Sequence, residues 1–590
     1  MPVVSGLVAC LLLIMVLPSA LNIPQSQPEQ TLEFAPIPPE DDTPPPQDQG
    51  NVESLSLGSS TSAPGDAPGG AQAGPPALPP IPEGVGGRPV TKRCVGDPPR
   101  QTEDPLSPPC VAHFEGDNGG ATHTGVDAEE IRILVYADGK TAATESGAER
   151  ENLHKGDHFD LGEPPPEDEA EPITVRVMRR FQTYFNDRFQ MYGRTARFTV
   201  VYNSPAATTP ESRRADAAEH IARFDPFAVI TSGLIDGGQD AYTDFMAANG
   251  VLVFGSPTGS RSEDFYQRYP GQVWSYLPTL ERRADSYASL VCTQVINRPV
   301  SDGQIAAGQQ RVLGLLTSAD PGFPSLQVAA RMIEERIVAC GGQIDERATF
   351  PVANRRYSTG DPSYATQNMV SFSDAGVTTI IWPGGFESEQ SKAAARIGYR
   401  PEWIIAGDTH HEGLENARAQ DQSAWDHATV VTSLTRPWPQ DQDPCVRAMR
   451  EVDPGMSDPH PEVGNDMSRA CYDFLYYQDL RTVFTGIQVA GPNLTPATMD
   501  RGFHAIPAIP SDDPRVPACF YDPGDYTCIK DAMVQQWDSN ATAWDSQPGC
   551  WRMTEDGRRY LVGTWPATNI DEPRAPDDIC NSYNRATQLY

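Results

Sequence analysis

Residues 377–389 read VTTIIWPGGFESE. A β-branched, apolar run reaches Trp382, breaks at Pro383-Gly384-Gly385, and is followed at once by Glu387 and Glu389. An unbroken apolar run of this length, bounded by a glycine turn, reads as a strand buried on both faces, the pattern of a parallel sheet covered by helices. The flanks repeat it. Upstream, RVLGLLTS (311–318) precedes a helix whose Leu326, Ala330, Ile333, Ile337 and Cys340 share a face, then a strand at 343–352 and a helix near 363–375. Downstream come a helix over 386–397 and the strand EWIIAGD (402–408).

The same rhythm runs before residue 260. Strands are expected at EEIRILVYAD (129–138), ARFTVVYNS (196–204), FAVITSG (227–233) and VLVFGS (251–256). Between them lie a helix with Met178, Phe181, Phe185 and Phe189 on one face, ended by Gly193, and helices at 211–223 and 237–249. Residues 140–172 read as an acidic, proline-rich insertion and 261–310 as irregular. Strands separated by single helices require right-handed crossovers and build parallel sheets. Two such runs predict an α/β protein of two doubly wound parallel-sheet lobes. In such sheets ligands sit outside the carboxyl ends of the strands, where the 384–389 turn stands.

The 590 residues carry a formal charge of -34, with five lysines among 45 basic residues. Nothing in that balance neutralises phosphates in bulk, so nucleic acid is excluded as a partner. Residues 1–20 hold an apolar block from Leu7 to Leu17 and a small-residue exit at Pro18-Ser19-Ala20, the build of a signal peptide or signal anchor. Residues 21–92 contain sixteen prolines and one aromatic, Phe34, and read as a disordered linker. A leader bounded by Cys94 and Cys110 occupies 93–125.

Without Cys10, ten cysteines remain, and none has zinc spacing. Order along the chain pairs Cys94 with Cys110, Cys292 with Cys340, Cys445 with Cys471, Cys519 with Cys528 and Cys550 with Cys580, since local loops close most easily. The sequence alone leaves other pairings open. Five bridges imply an oxidising, extracytoplasmic compartment, secreted or tethered to the outer face of the membrane.

The stretches GVDAEEIRILVY, YFNDRFQMYGRTARFTVVYNS, FAVITSGLIDGGQDAYTDFMAANGVLVFGSPTGS and GVTTIIWPGGFESEQSKAAARIGYRPEWIIAGD, with the helix-like CYDFLYYQDLRTVF at 471–484, follow one another in an order that resembles the type I periplasmic binding fold. Within it they resemble the branched-chain amino-acid (leucine) binding family of ABC-transporter substrate-binding proteins, over about residues 125 to 565. The resemblance implies a two-lobed clamshell with a hinge between the lobes, crossed three times by the chain, which the expected bridges make disulfide-stapled. Lobe 1 would span 126–275 with a return segment at about 430–500, and lobe 2 would span 276–429 with a return segment at about 505–590. It implies that Ser256, Thr258 and Ser260 bind a carboxylate at a helix start, that Phe323 supplies an aromatic wall, and that Glu389, with Glu387 as rival, meets an ammonium. Where the family has a serine loop, this chain reads Gly233-Leu234-Ile235-Asp236. Asp236 is either a ligand contact or a cap, and Asp408 a second acidic wall. Trp382 is either a stacking platform or core.

The expected function is capture of a small-molecule solute, an amino acid or related compound, by a monomer that delivers it to an ABC permease. The alternative is a ligand-sensing or adhesion ectodomain. No cofactor, metal or catalysis is expected: Asp408-Thr409-His410-His411-Glu412 lacks helical ligand spacing, and no nucleophile elbow or phosphate loop occurs. Asn493-Leu-Thr and Asn540-Ala-Thr are glycosylation sequons.

Overall fold

The computed structural model describes residues 94–570 and Cys580, apart from 97–98, 138–155, 166–170, 206, 208, 234–238, 256–260, 301–306, 321–323, 352–362, 385–386, 408–411, 436–437, 459–464, 473–474, 507 and 509–512. The expected signal and linker lie outside the described residues.

The first lobe opens with β1 (Glu130–Ala137) and β2 (His158–Asp160), then α1 (Ile173–Arg188), β3 (Thr195–Tyr202), α2 (Pro210–Phe224) and β4 (Ala228–Gly233). It continues with α3 (Gln239–Ala248), β5 (Leu252–Phe254), α4 (Glu263–Arg268) and β6 (Val273–Trp274). The sheet order is β2-β3-β1-β4-β5-β6, all parallel except β2. β1 is central, and the order reverses across it, which makes its tip the switch point of this lobe.

The chain then crosses to α5 (Leu280–Leu290), β7 (Leu313–Ser318), α6 (Pro324–Ala339), β8 (Glu346–Phe350), α7 (Ser363–Asp374) and β9 (Thr379–Trp382). Next come α8 (Glu389–Arg396), β10 (Glu402–Ala406), α9 (Leu414–Ala419), α10 (Gln422–Trp425) and β11 (Thr429–Thr432). A second crossing returns it to the first lobe for α11 (Pro444–Val452), α12 (Asp466–Cys471), α13 (Tyr476–Ala490) and α14 (Pro496–Ala505). A third leads to β12 (Asp531–Thr542), β13 (Pro548–Met553) and β14 (Tyr560–Leu561). The second sheet runs β13-β12-β11-β10-β9-β7-β8, parallel from β11 to β8 and closed by the antiparallel β12 and β13, with β14 paired to β12. The molecule is thus two doubly wound α/β lobes joined by three crossings, the clamshell build that the sequence resembles.

Local chemistry accounts for many of the boundaries. Thr209 and Thr495 form capping boxes with Ser212 and Thr498 at the starts of α2 and α14, each with proline in the first turn. Asp443 accepts from the Cys445 and Val446 amides at the start of α11. Gly125, at φ +73°, packs so tightly that a Cβ there would lie 2.1 Å from the Phe227 nitrogen.

Five disulfides join Cys94–Cys110, Cys292–Cys340, Cys445–Cys471, Cys519–Cys528 and Cys550–Cys580. Each joins neighbours in sequence order, closing 9 to 48 residues.

Three expectations need correction. Residues 261–310 are not irregular: they hold α4, β6, α5 and a π turn at Val291–Val295, whose Leu280, Ala284, Tyr287 and Val291 pack inward. The helix expected at 471–484 is two helices, α12 ending at Cys471 and α13 starting at Tyr476. Gly193 sits at φ +84° in the turn before β3, while α1 already ends at Arg188.

Candidate functional site

The crossings bring the carboxyl ends of the two sheets together. β6 ends at Trp274 and α5 begins at Leu280, and from its first turn Arg283 Nη1 donates to the Gly407 carbonyl (3.2 Å) at the tip of β10. β11 ends at Thr432, and beyond it Thr435 Oγ1 lies 2.6 Å from Tyr276 OH of the first crossing. The third crossing pairs with the first: Cys528 N donates to Ser275 O (2.9 Å) and Ile529 N to Tyr276 O (3.2 Å). Arg559 reaches the second crossing at the carbonyls of Ser433 and Leu434. A crevice between parallel-sheet tips, flanked by a hinge, is where open α/β sheets bind ligands.

The described rims of this crevice are tightly packed. A Cβ at Gly255, just past β5, would lie 2.0 Å from Thr231 Oγ1. One at Gly407 would lie 2.1 Å from Glu412 Oε1, so buried Glu412 folds against the β10 tip. Ser232 Oγ, near the β4 tip, donates to the Asp479 carboxylate of α13. Asp236, Ser256, Thr258, Ser260, Phe323 and Asp408 lie outside the described residues.

The turn after β9 is described on both sides of residues 385–386. Trp382 is fully buried, its Nε1 donating to Gly384 O (2.9 Å), with Phe350, Trp403 and Trp425 at centroid distances of 5.9, 5.8 and 6.0 Å. It belongs to the lobe-2 core, where these rings pack around it. Glu387 is likewise enclosed. Its Oε1 accepts from Tyr364 OH (2.8 Å) and from the Glu389 amide (2.9 Å), where it takes the place of a cap on α8. Burial pushes the Glu387 carboxyl up to about 7. Glu389 is 6 % exposed and pairs with Lys392 (3.2 Å) and Arg396 (3.9 Å) of its own helix. Neither acid stands as a bare carboxylate. Neither Tyr364, the partner of Glu387, nor Arg283 carries a periodic or motif signal in the sequence.

The raised Glu387 carboxyl gives a pH prediction. Its folded value lies above the ordinary glutamate value, so its contribution to stability is fully present below about pH 4.5 and is lost as pH rises through about 7. Glu387→Gln keeps the acceptor without the charge. It is expected to gain roughly 3 kcal/mol on the wild type between pH 4 and pH 8, read by urea unfolding at both values. A gain below about 1 kcal/mol would show that the folded carboxyl is ionised.

Among the described residues, no group of three or more His, Cys, Asp or Glu side chains is placed to hold a metal, and no helix is long and apolar enough to cross a membrane. His410 and His411 lie outside them.

No family model matches the chain, and no curated protein matches it at significant similarity. Its neighbours among solved structures include an ABC-transporter substrate-binding protein from Aeropyrum pernix (10 % identity, 74 % of this chain and 97 % of that one, TM-score 0.49). A solute-binding protein of an ABC transporter from Rhodopseudomonas palustris BisB5, in complex with 3,4-dihydroxybenzoic acid, is 13 % identical over 74 % of this chain and 97 % of that one (TM-score 0.46). A branched-chain amino acid ABC transporter periplasmic ligand-binding protein from Burkholderia xenovorans LB400 is 12 % identical over 73 % and 95 % (TM-score 0.47). These structural neighbours are solute-binding proteins, and the order of this chain's own strands gives its two lobes and three crossings.

Proposed function

We propose that the chain is an extracytoplasmic solute-binding protein that captures a small polar molecule, an amino acid or related amine-bearing acid, and hands it to an ABC permease. The observation that carries this reading is that the two sheets are joined beyond the carboxyl ends of β6 and β11 by three hydrogen-bonded crossings. Such a hinge allows the lobes to close on a solute, and closure is the signal a permease reads. The five disulfides support a place outside the cytoplasm. Ser256, Thr258 and Ser260 are proposed to hold the solute's carboxylate and Glu389 its ammonium, which must displace Lys392 from the 3.2 Å pair.

A thermal-shift screen of amino acids, amides, polyamines and peptides against the full chain tests this. At least one amino acid is expected to raise Tm saturably and to be recovered unchanged, with about 2.7 kcal/mol of stabilisation at a hundredfold excess over Kd. Glu389→Gln and Ser256→Ala are expected to weaken that compound at least tenfold. A screen without a saturable shift, or turnover of the compound, overturns the reading. Undiminished affinity in both variants overturns the residue assignment alone.

A further inference from the structure

The cysteine-bounded leader packs into the first lobe beside the crossings. It is closed by Cys94–Cys110 and folded on itself: Gln101 N donates to Pro108 O (3.0 Å), Thr102 N to Ser107 Oγ (3.0 Å) and Leu106 N to Asp104 Oδ1 (2.8 Å). Its tip is buried, with Gln101, Thr102 and Ser107 at 0–1 % exposure and Asp104 at 4 %. The niche around it is made by three helices. Arg188 at the end of α1 pairs with Glu103 (3.2 Å) and with Glu451 of α11, and Gln488 Nε2 of α13 donates to Pro109 O (2.9 Å). At the bottom, Asp104 Oδ2 accepts from Arg481 Nη1 of α13 (2.8 Å), both side chains being about 5 % exposed.

That ion pair does not end in the lobe. The Arg481 guanidinium lies over the ring of Tyr276, 5.3 Å from its centroid, and Tyr276 belongs to the first crossing. The Tyr276 hydroxyl reaches Thr435 Oγ1 of the second crossing (2.6 Å), and the Tyr276 carbonyl accepts from Ile529 N of the third. A buried carboxylate 377 residues away in sequence from its arginine is therefore two contacts from the first crossing and three from the others.

We propose that the leader is a strap on the hinge: Asp104, by holding Arg481 against Tyr276, ties residues 94–110 to all three crossings and restrains the motion of the lobes. A buried charge deprived of its partner is strongly unfavourable, so the strap leaves its niche only as a unit. The device is independent of which solute the crevice takes.

Hydrogen–deuterium exchange on the full chain tests the strap without any ligand. In Asp104→Asn, amides at the crossings (Ser275, Leu434, Cys528 and Ile529) are expected to exchange at least tenfold faster, while those of β9 and of β1 keep their rates. The exchanged pair Asp104→Arg with Arg481→Asp is expected to restore protection at least in part. Tyr276→Phe, which removes only the hydroxyl, is expected to release the second crossing and to leave the leader amides protected. Unchanged crossing amides in Asp104→Asn, or acceleration spread evenly over the lobe, overturns the proposal. If Asp104→Asn does not fold, Tyr276→Phe decides: an unmoved second crossing overturns the proposal and a released one supports it.

Discussion

Arg559→Ala is expected to cost about 3–5 kcal/mol and to loosen the second crossing, because it strips a buried carboxylate and two buried carbonyls of their donor at once. The guanidinium is 1 % exposed. Its Nε pairs with Asp531 Oδ1 (2.8 Å), Nη1 donates to Leu434 O (2.6 Å), and Nη2 donates to Ser433 O (2.8 Å) and Asp531 O (3.1 Å). Asp531 in turn accepts from the Ala518 amide (3.0 Å), so Arg559 and Asp531 together bind the second crossing to the middle and the end of the third. Removing it leaves Asp531, itself 6 % exposed, as an uncompensated buried charge. The neighbouring Arg558, with a half-exposed side chain and a partner at 3.7 Å, is the control, and its alanine variant should stay within about 0.5 kcal/mol of the wild type. Urea unfolding of both variants checks the difference. A loss under about 1 kcal/mol in Arg559→Ala would mean that water takes over its acceptors, and the clamp would then not hold the hinge.

The lobes were legible in the sequence because their strands are buried on both faces. β1, β4, β9 and β10 hold short apolar runs that stop at Asp138, Gly233, Pro383 and Gly407, and these strands, with β3 and β7, lie within a few residues of their expected places. The segment misread as irregular fails that test for physical reasons. β6 is two residues long, Val273–Trp274, and draws its stability from neighbours rather than from its own pattern. The inward face of α5 includes Arg283 and Ser286, which blur the apolar period. The break between α12 and α13 falls beside Cys471, whose bridge to Cys445 fixes the end of α12 against α11. The disulfide order was readable since each bridge is local.

The candidate site was legible in position but not in orientation. That Glu387 and Glu389 follow a strand tip is plain in the sequence. That Glu387 turns inward to Tyr364, 23 residues upstream, depends on how α7 packs beside β9, which no local pattern encodes. The hinge is further out of reach. Arg559 meets Leu434 across 125 residues, and Asp104 meets Arg481 across 377. Single charged residues in unremarkable surroundings gain their roles only when the crossings bring them together.

The same distinction governs Trp382, where sequence left core and platform both open. Trp382→Ala is expected to cost about 3–5 kcal/mol, because it opens a cavity among Phe350, Trp403 and Trp425 and leaves the Gly384 carbonyl without its indole donor. Trp382→Phe removes the donor and part of the volume, and should cost about 1–3 kcal/mol. The two roles differ in how affinity follows stability. A ring that stacks on the solute loses affinity in proportion to its lost face, even where the fold survives. A core ring loses stability first, and the phenylalanine variant, once folded, binds as the wild type does. Here the indole packs among the rings of Phe350, Trp403 and Trp425, bonds the Gly384 carbonyl and has 0 % exposure, so affinity for the best compound of the screen is expected to stay within threefold in Trp382→Phe. A variant that unfolds at the wild-type urea midpoint yet binds tenfold more weakly would place the indole in the crevice and move the wall of the site from the 384–389 turn to the strand beneath it.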